Sequence, residues 1–215
     1  MSADALGYEH VFEPATATGL PTLLLLHGTG GDEHDLLPLG RELLPGAALL
    51  SPRGNVLERG APRFFRRFAE GVFDTDDVAR RARSLAAFVR DAAARHGFDA
   101  RNVFAAGFSN GANIAGAVML LEPGTLRGGV LLRAQMVAND AQLSADPRLL
   151  AGTSAFLAAG RTDAIVSPAE TERLARALRD RGADVTLRWD EAGHTITRGD
   201  VDAAAAWVAA LPARA

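Results

Sequence analysis

The chain has 215 residues, of which 48% are apolar and 23% are charged, and this balance excludes the disordered and fibrous classes of protein. Its formal net charge of −3 argues against a protein that binds nucleic acid or an anionic membrane surface. Because it contains no cysteine, disulfides, thiolate nucleophiles and thiolate metal ligands are excluded as well.

The first ten residues, MSADALGYEH, lack the basic and apolar regions of a secretory leader. No apolar run in the chain approaches the roughly 20 residues that a membrane-spanning helix needs. No composition shift, repeat or linker divides the chain either. We therefore expect a single domain, residues 1–215, in the cytoplasm.

Short apolar runs alternate with longer segments of helical period along the chain. This alternation predicts a mostly parallel sheet that is covered by helices on both faces, which is an α/β fold. The predicted strands are residues 22–27, 47–51, 102–107, 128–132, 154–159 and 185–189.

The helices carry clear start and stop signals. A first helix is expected near Glu33, with Asp32 as its N-cap. Ser167 and Pro168 have the residue types of an N-cap and a first helical position. The other predicted helices cover residues 76–96, 112–121 and 197–212, the last of them ending at Pro212.

Two segments, residues 52–73 and 133–152, resist assignment to a helix or a strand. Loops of this length inside a compact domain are usually functional or disordered. Both segments follow predicted strands, so both should reach the carboxyl edge of the sheet, where α/β proteins bind ligands. We expect them to form the walls of the site.

The pentapeptide GFSNG, residues 107–111, lies directly after a buried strand and before a helical segment. This context is typical of a nucleophile elbow, in which glycines on both sides relieve crowding around a strained serine. The pattern predicts Ser109 as a nucleophile, placed where helix amides favour developing negative charge. The alternative interpretation is that Ser109 only caps a helix.

A serine hydroxyl needs a base within hydrogen-bond reach, and the base needs an orienting acid. After Ser109 the chain contains one histidine, His194, in a glycine-containing loop beyond a predicted strand. Asp163 follows the preceding strand directly and is the preferred acid, with a simple turn residue as the alternative interpretation. The other aspartates between Ser109 and His194 are Asp140, Asp146, Asp184 and Asp190.

The segment LHGTGG, residues 26–31, ends the first strong strand with a glycine-rich turn. Such a turn can direct a backbone N–H at a substrate oxyanion, so Thr29 and Asn110 are the predicted pair of backbone donors. Glycine-rich turns also bind phosphates, but neither the dinucleotide pattern nor the P-loop pattern follows here.

These motifs resemble the carboxylesterase/phospholipase branch of the α/β-hydrolases, which includes the acyl-protein thioesterases. The likeness covers nearly the whole chain, through LHGTGGDEHDL, SPRGN, PRFFRRFAEGVFD, AAGFSNGANIA, AAGRTDAIVSP and AGH. Within that branch the chain is most similar to bacterial hydrolases linked to hydroquinone or quinone stress, where PRFFRR and GFSNGANIA recur. The resemblance implies the same serine, histidine and aspartate and the same two donors. Asn110 and the PRFFRRF loop depart from the acyl-protein thioesterases.

We expect a serine carboxylesterase that hydrolyses small esters with a short acyl or an aromatic group, without a metal or an organic cofactor. Phe64, Phe65 and Phe68 are predicted to form one apolar wall of the site, with Met136 and Val137 opposite. The arginines nearby are Arg63, Arg66 and Arg67. The alternative is that these phenylalanines belong to the core and the arginines to the surface.

Other functions are compatible with the same fold. One is an acyl-protein thioesterase or lysophospholipase-like hydrolase, and another is an acyltransferase that uses the same acyl-enzyme. A third is a non-catalytic receptor for a small molecule. The sequence leaves open whether the chain acts as a monomer or a homodimer.

Overall fold

The computed structural model describes residues 6–211. The strands are β1 His10–Glu13, β2 Thr22–Leu26, β3 Leu49–Pro52, β4 Val56–Glu58, β5 Ala61–Arg63, β6 Arg67–Ala69, β7 Val72–Phe73, β8 Val103–Phe108, β9 Gly128–Leu132, β10 Ser154–Gly160 and β11 Asp184–Asp190. The helices are α1 Leu37–Leu43, α2 Thr75–His96, α3 Asn110–Leu121, α4 Pro168–Arg179 and α5 Arg198–Ala209. None of these helices within residues 6–211 has the length and apolar character needed to cross a membrane.

A seven-stranded sheet forms the centre of the fold, in the order β1-β3-β2-β8-β9-β10-β11. All neighbouring pairs are parallel except β1 with β3. Apolar side chains of α2, α3 and α4 pack on one face of the sheet, and those of α1 and α5 pack on the other. The predicted α/β fold, with helices on both faces of a mostly parallel sheet, is therefore confirmed.

The two edge strands of this sheet differ. β1, which the sequence did not reveal, runs antiparallel to β3, and its four residues are all partly buried. An apolar run is the signal for a buried strand, and a short half-buried edge strand lacks it. β11 pairs with β10 and forms the opposite edge. Its polar residues at alternate positions are Asp184, Thr186, Arg188 and Asp190.

The helix expected near Glu33 is wrong, because α1 begins at Leu37. The Asp32 carboxylate accepts a hydrogen bond from the His34 amide at 2.8 Å, so it stabilises a turn instead of capping a helix. Pro38 lies in the first turn of α1. Proline is tolerated there because the backbone N–H that it lacks would have no intrahelical partner at that position.

The other predicted helices are found with small shifts of their ends. Asp74 caps α2 by accepting from the Asp77 amide at 3.0 Å, and Gly97 ends it in the left-handed conformation. Ser167 caps α4 as predicted. Within the described residues α5 ends at Ala209, and Pro212 lies outside them.

The two unassigned segments have different structures. Residues 52–73 fold into two small antiparallel hairpins, β4 with β5 and β6 with β7. Residues 133–152 remain mostly irregular and include one short 3₁₀ turn, Asp140–Gln142. Both segments follow parallel strands, β3 and β9, and so extend from the carboxyl edge of the sheet.

Candidate active site

Ser109 lies on the sharp turn between β8 and α3. Its backbone has φ 52° and ψ −115°, a conformation that costs a residue with a side chain about 1–3 kcal/mol. Its amide donates to the Leu132 carbonyl oxygen at 2.9 Å, and its own carbonyl accepts from the Asn113 amide at 2.8 Å. The surrounding strand and helix therefore hold the serine in its strained conformation.

The glycines on both sides of Ser109 permit close approach between neighbouring segments of backbone. A Cβ atom at Gly107 would lie 2.7 Å from the Ala112 nitrogen, and one at Gly111 would overlap the Leu26 carbonyl oxygen. Neither glycine has a positive φ, so distance and not backbone torsion requires them. They bring α3 close to the ends of β8 and β2.

His194 bridges Ser109 and Asp163. Its Nε2 lies 2.8 Å from the Ser109 Oγ, and its Nδ1 lies 2.8 Å from the Asp163 Oδ2. The other oxygen of Asp163 accepts from the amides of Ile165 at 2.8 Å and Val166 at 3.0 Å. A carboxylate held by three hydrogen bonds fixes the orientation of the imidazole ring. Of the five aspartates considered from the sequence, Asp163 is the one that contacts His194.

A buried arginine supports the loop that carries His194. Arg133 is fully buried, and its guanidinium donates to the Gly193 carbonyl at 3.0 Å and to the Ala158 carbonyl at 3.1 Å. It also pairs with the buried Asp200 carboxylate at 2.7 Å. Sequence reasoning missed this residue, although an arginine directly after a wholly apolar strand is a recognisable signal.

The backbone amides of Thr29 and Asn110 are the two that the sequence predicted as oxyanion donors. Asn110 is the first residue of α3, so its N–H belongs to the first helical turn and has no intrahelical acceptor. The Thr29 amide follows β2 and has no hydrogen-bond acceptor within residues 6–211. Both amides follow strands that are neighbours in the sheet, β2 and β8.

His27 supports the turn before Thr29 and was not identified from the sequence. It is 1% exposed, its Nε2 accepts from the Gly54 amide at 2.9 Å, and its Nδ1 lies 2.6 Å from the Gly28 carbonyl oxygen. Burial lowers the pKa of His27, although the hydrogen bond to Gly28 opposes this shift. The ring is therefore neutral near pH 7, with its proton on Nδ1.

The prediction that phenylalanines form one wall of the site is wrong. Phe64 and Phe65 are 1% and 0% exposed and belong to the hydrophobic core, where Phe64 packs against the His27 ring. Phe68 is instead 69% exposed on β6. Phe64 and Phe65 lie directly after β5, in the connection between the two hairpins, where both rings pack into the core.

The three arginines of this loop also differ from one another. Arg63 is 3% exposed and donates to the Thr29 hydroxyl at 2.6 Å. Arg66 is largely exposed and pairs with Asp74. Arg67 pairs with Glu58 at 3.0 Å. One of the three is therefore part of the interior, while the other two form ion pairs on the hairpins.

Met136 and Val137 line an open cleft of about 520 Å³. Val72 and Phe73 of β7 and Ile165 of the Asp163 loop complete its apolar lining. The cleft also contains Gln135, which is 6% exposed. The other lining residues are Gly71, Thr75, Ala138, Asn139, Ser167, Glu170 and Arg173.

The cleft is close to the serine elbow. The backbone amide of Gln135 donates to the Asn113 Oδ1 at 2.8 Å, and Asn113 is one helical turn after Ser109. Ile165 on the other side donates its amide to Asp163. Met136 and Val137, which the sequence predicted as substrate-binding residues, thus line a cavity whose walls contact α3 and the Asp163 loop.

Comparisons with known proteins agree on one family. The model of the phospholipase/carboxylesterase family matches residues 7–211. The chain is 42% identical over 199 residues to "Putative hydrolase MhqD" of Bacillus subtilis (strain 168), covering 93% of this chain and 96% of that protein.

Solved structures agree as well. The Bacillus cereus carboxylesterase has a TM-score of 0.88 at 45% identity, covering 93% of this chain and 92% of that one. A carboxylesterase from Mesorhizobium loti has a TM-score of 0.83 at 32% identity, covering 96% and 92% of the two chains. The chain therefore belongs to the phospholipase/carboxylesterase family of hydrolases.

Proposed function

We propose that the protein is a serine carboxylesterase, with Ser109 as nucleophile, His194 as base and Asp163 as orienting acid. The observation that carries the proposal is the imidazole of His194, which lies 2.8 Å from both the Ser109 hydroxyl and the Asp163 carboxylate. Hydroxyl, imidazole and carboxylate in this order activate a serine for attack on an acyl carbon. Membership of a carboxylesterase family supports the same reaction type.

The reaction takes place in two steps. The Ser109 Oγ bonds to the acyl carbon and passes its proton to the His194 Nε2, and His194 then protonates the leaving alkoxide as the C–O bond breaks. Water next attacks the acyl-enzyme, giving one proton to His194, and Ser109 leaves with that proton as the acid product forms. In each step the carbonyl oxygen becomes anionic, and the amides of Thr29 and Asn110 stabilise it.

We propose that the cleft beside the elbow binds the apolar group of a small ester. Its lining by Met136, Val137 and Ile165 suits a short aliphatic or aromatic group. Gln135 supplies one polar group there that can bind a hydroxyl or a carbonyl of the substrate. The proposed substrate is therefore a small ester with a short aliphatic or aromatic group.

Covalent labelling with a fluorophosphonate tests the proposed nucleophile. Wild type should be labelled on Ser109 and should hydrolyse p-nitrophenyl acetate, while Ser109→Ala should lose labelling and about 10⁴-fold or more in kcat. Ser144→Ala is a matched control, because Ser144 lies in the irregular segment after β9, and it should behave as wild type. An unlabelled wild type would instead support the receptor alternative.

A second experiment tests the cleft and the leaving group. In a p-nitrophenyl ester series, Val137→Phe should lower kcat/KM for longer acyl chains more than for acetate, since it fills the cleft. Leu57→Phe, at a site 71% exposed on β4, should leave the chain-length preference unchanged. If Val137→Phe lowered kcat/KM by the same factor for every ester in the series, the proposal that the cleft binds the acyl group would be wrong. A matched thioester series measures thioesterase activity on the same enzyme.

A further inference from the structure

Three consecutive residues of the first hairpin bind both turns that carry the proposed oxyanion donors. The Pro62 carbonyl accepts from the Gly30 amide at 2.9 Å. The Arg63 guanidinium donates to the Thr29 Oγ1 at 2.6 Å. The Phe64 amide donates to the Asn110 Oδ1 at 2.8 Å. We call residues 62–64 the clasp.

The clasp is itself held rigidly. Arg63 is 3% exposed, with its Nε donating to the Phe65 carbonyl at 3.3 Å and its guanidinium lying over the Phe65 ring. The Glu58 carboxylate lies 3.3 Å from its Nη1 and balances the buried charge. Gly54 packs so tightly on the clasp that a Cβ atom there would overlap the Arg63 backbone. The clasp therefore has little freedom to move relative to β3.

Asn110 retains its contact with the clasp at a cost in stability. Its side chain is buried, and while its Oδ1 accepts from Phe64, its Nδ2 has no hydrogen-bond partner within the described residues. A buried amide donor without a partner is unfavourable. This cost is understandable if the contact between Asn110 and Phe64 helps to align the Asn110 backbone amide.

We propose that the clasp sets the positions of the Thr29 and Asn110 amides, with Arg63 as its central positioning residue. This inference rests on the proposed function, because it concerns the two amides that stabilise the oxyanion there. Arg63 touches the Thr29 side chain and not the reacting atoms, so its effect on catalysis is indirect. An oxyanion donor displaced by a fraction of an ångström stabilises the transition state less than a well-placed one.

The main test is Thr29→Val, which removes the hydroxyl that Arg63 binds but keeps the Thr29 amide. Because Thr29 is exposed, this variant should fold as wild type does. We expect kcat for p-nitrophenyl acetate to fall by about 10-fold to 100-fold with little change in KM. Thr29→Ser keeps the hydroxyl and should restore most of the kcat that Thr29→Val loses.

Arg63→Met is the second variant, and Arg66→Met, in the connection between the two hairpins, is its matched control. The losses of kcat from Thr29→Val and Arg63→Met should not add in the double variant, because both substitutions remove the same hydrogen bond between Arg63 and Thr29. The hydrogen bonds of Arg66 go to Asp74 and Asp77, so Arg66→Met should retain wild-type kcat. If Arg63→Met fails to fold, Thr29→Val still tests the clasp.

Inhibition by a trifluoromethyl ketone distinguishes alignment from general damage. Its carbonyl carbon bonds to the Ser109 Oγ, the serine proton passes to His194, and the resulting anionic oxygen lies where the oxyanion forms. Its Ki should rise in Thr29→Val by the factor by which kcat falls. If wild type is active but folded Thr29→Val and Arg63→Met have unchanged kcat and Ki, the proposed role of the clasp is wrong while the proposed function stands. An inactive and unlabelled wild type would overturn the proposed function and the clasp with it.

Discussion

Arg133 and Arg63 are two buried arginines on opposite sides of the candidate site, and they are neutralised in different ways. Arg133 pairs with Asp200, and both side chains are fully buried. Arg63 faces Glu58, whose side chain is 33% exposed, and the neutral hydroxyl of Thr29. Removal of Arg133 would leave a buried charge without a partner, whereas removal of Arg63 would leave a carboxylate that water can reach. The difference indicates that Arg133 mainly stabilises the fold and Arg63 mainly aligns the donors.

The largest effect on stability is expected for Arg133→Met. Loss of one partner of a buried ion pair should lower the free energy of unfolding by about 3–5 kcal/mol, measured by urea denaturation. Arg161→Met is the matched control, because its ion pair with Glu191 is exposed and should contribute less than about 1 kcal/mol.

The double variant Arg133→Met/Asp200→Asn sharpens the interpretation. It should recover part of the lost stability, since no charge remains buried and the introduced amide oxygen can still accept from the Thr197 amide. If Arg133→Met were as stable as Arg161→Met, the contrast between the two buried arginines would be wrong.

Phe65→Ala examines the support beneath Arg63. Phe65 is fully buried and its ring lies under the Arg63 guanidinium, so truncation should cost about 3–5 kcal/mol in unfolding free energy. Phe68→Ala, three residues further along the chain and exposed, should change it by less than about 0.5 kcal/mol. A shifted chain-length preference in Phe65→Ala, without loss of stability, would restore the idea of an aromatic wall.

The smallest effect is expected from His27, and it depends on pH. Burial keeps the pKa of His27 below its usual value, so between that usual value and the folded value the unfolded chain binds more protons. The wild-type protein should therefore lose stability as the pH falls below about 6.5, the ordinary pKa of histidine.

Urea denaturation between pH 8 and pH 5.5 measures this effect. His27→Gln should be less stable than wild type at pH 8 but should lose less stability on acidification. If the stability of wild type and His27→Gln changed with pH in parallel, His27 would be excluded as the source of the pH dependence.

The sequence predicted those features of the site that depend on local pattern and chain order. The elbow around Ser109 requires glycines at two close approaches, and these appear as a short pattern between a strand and a helix. His194 and Asp163 follow the ends of β11 and β10, so parallel strands bring them to the same edge as Ser109. Strand order and loop position were sufficient to expect these three residues together.

The features that sequence reasoning missed depend on contacts between distant residues. Arg133 is 67 residues from Asp200, and nothing near either residue indicates the pair. Phe64 and Phe65 were assigned to a wall because their segment lacks a clear period, and two short hairpins then turned them inward. The same lack of period led to the prediction of Met136 and Val137 near the site, and both line the cleft.

β11 has a consequence for assembly. A strand at the edge of a sheet offers unpaired amides and carbonyls to any other extended chain, which is a common route to aggregation. Here every second position from Asp184 to Asp190 is polar or charged, and charged side chains on an edge strand disfavour pairing with another chain. Sheet extension through β11 is therefore disfavoured, and a dimer of this protein would have to form through another part of its surface.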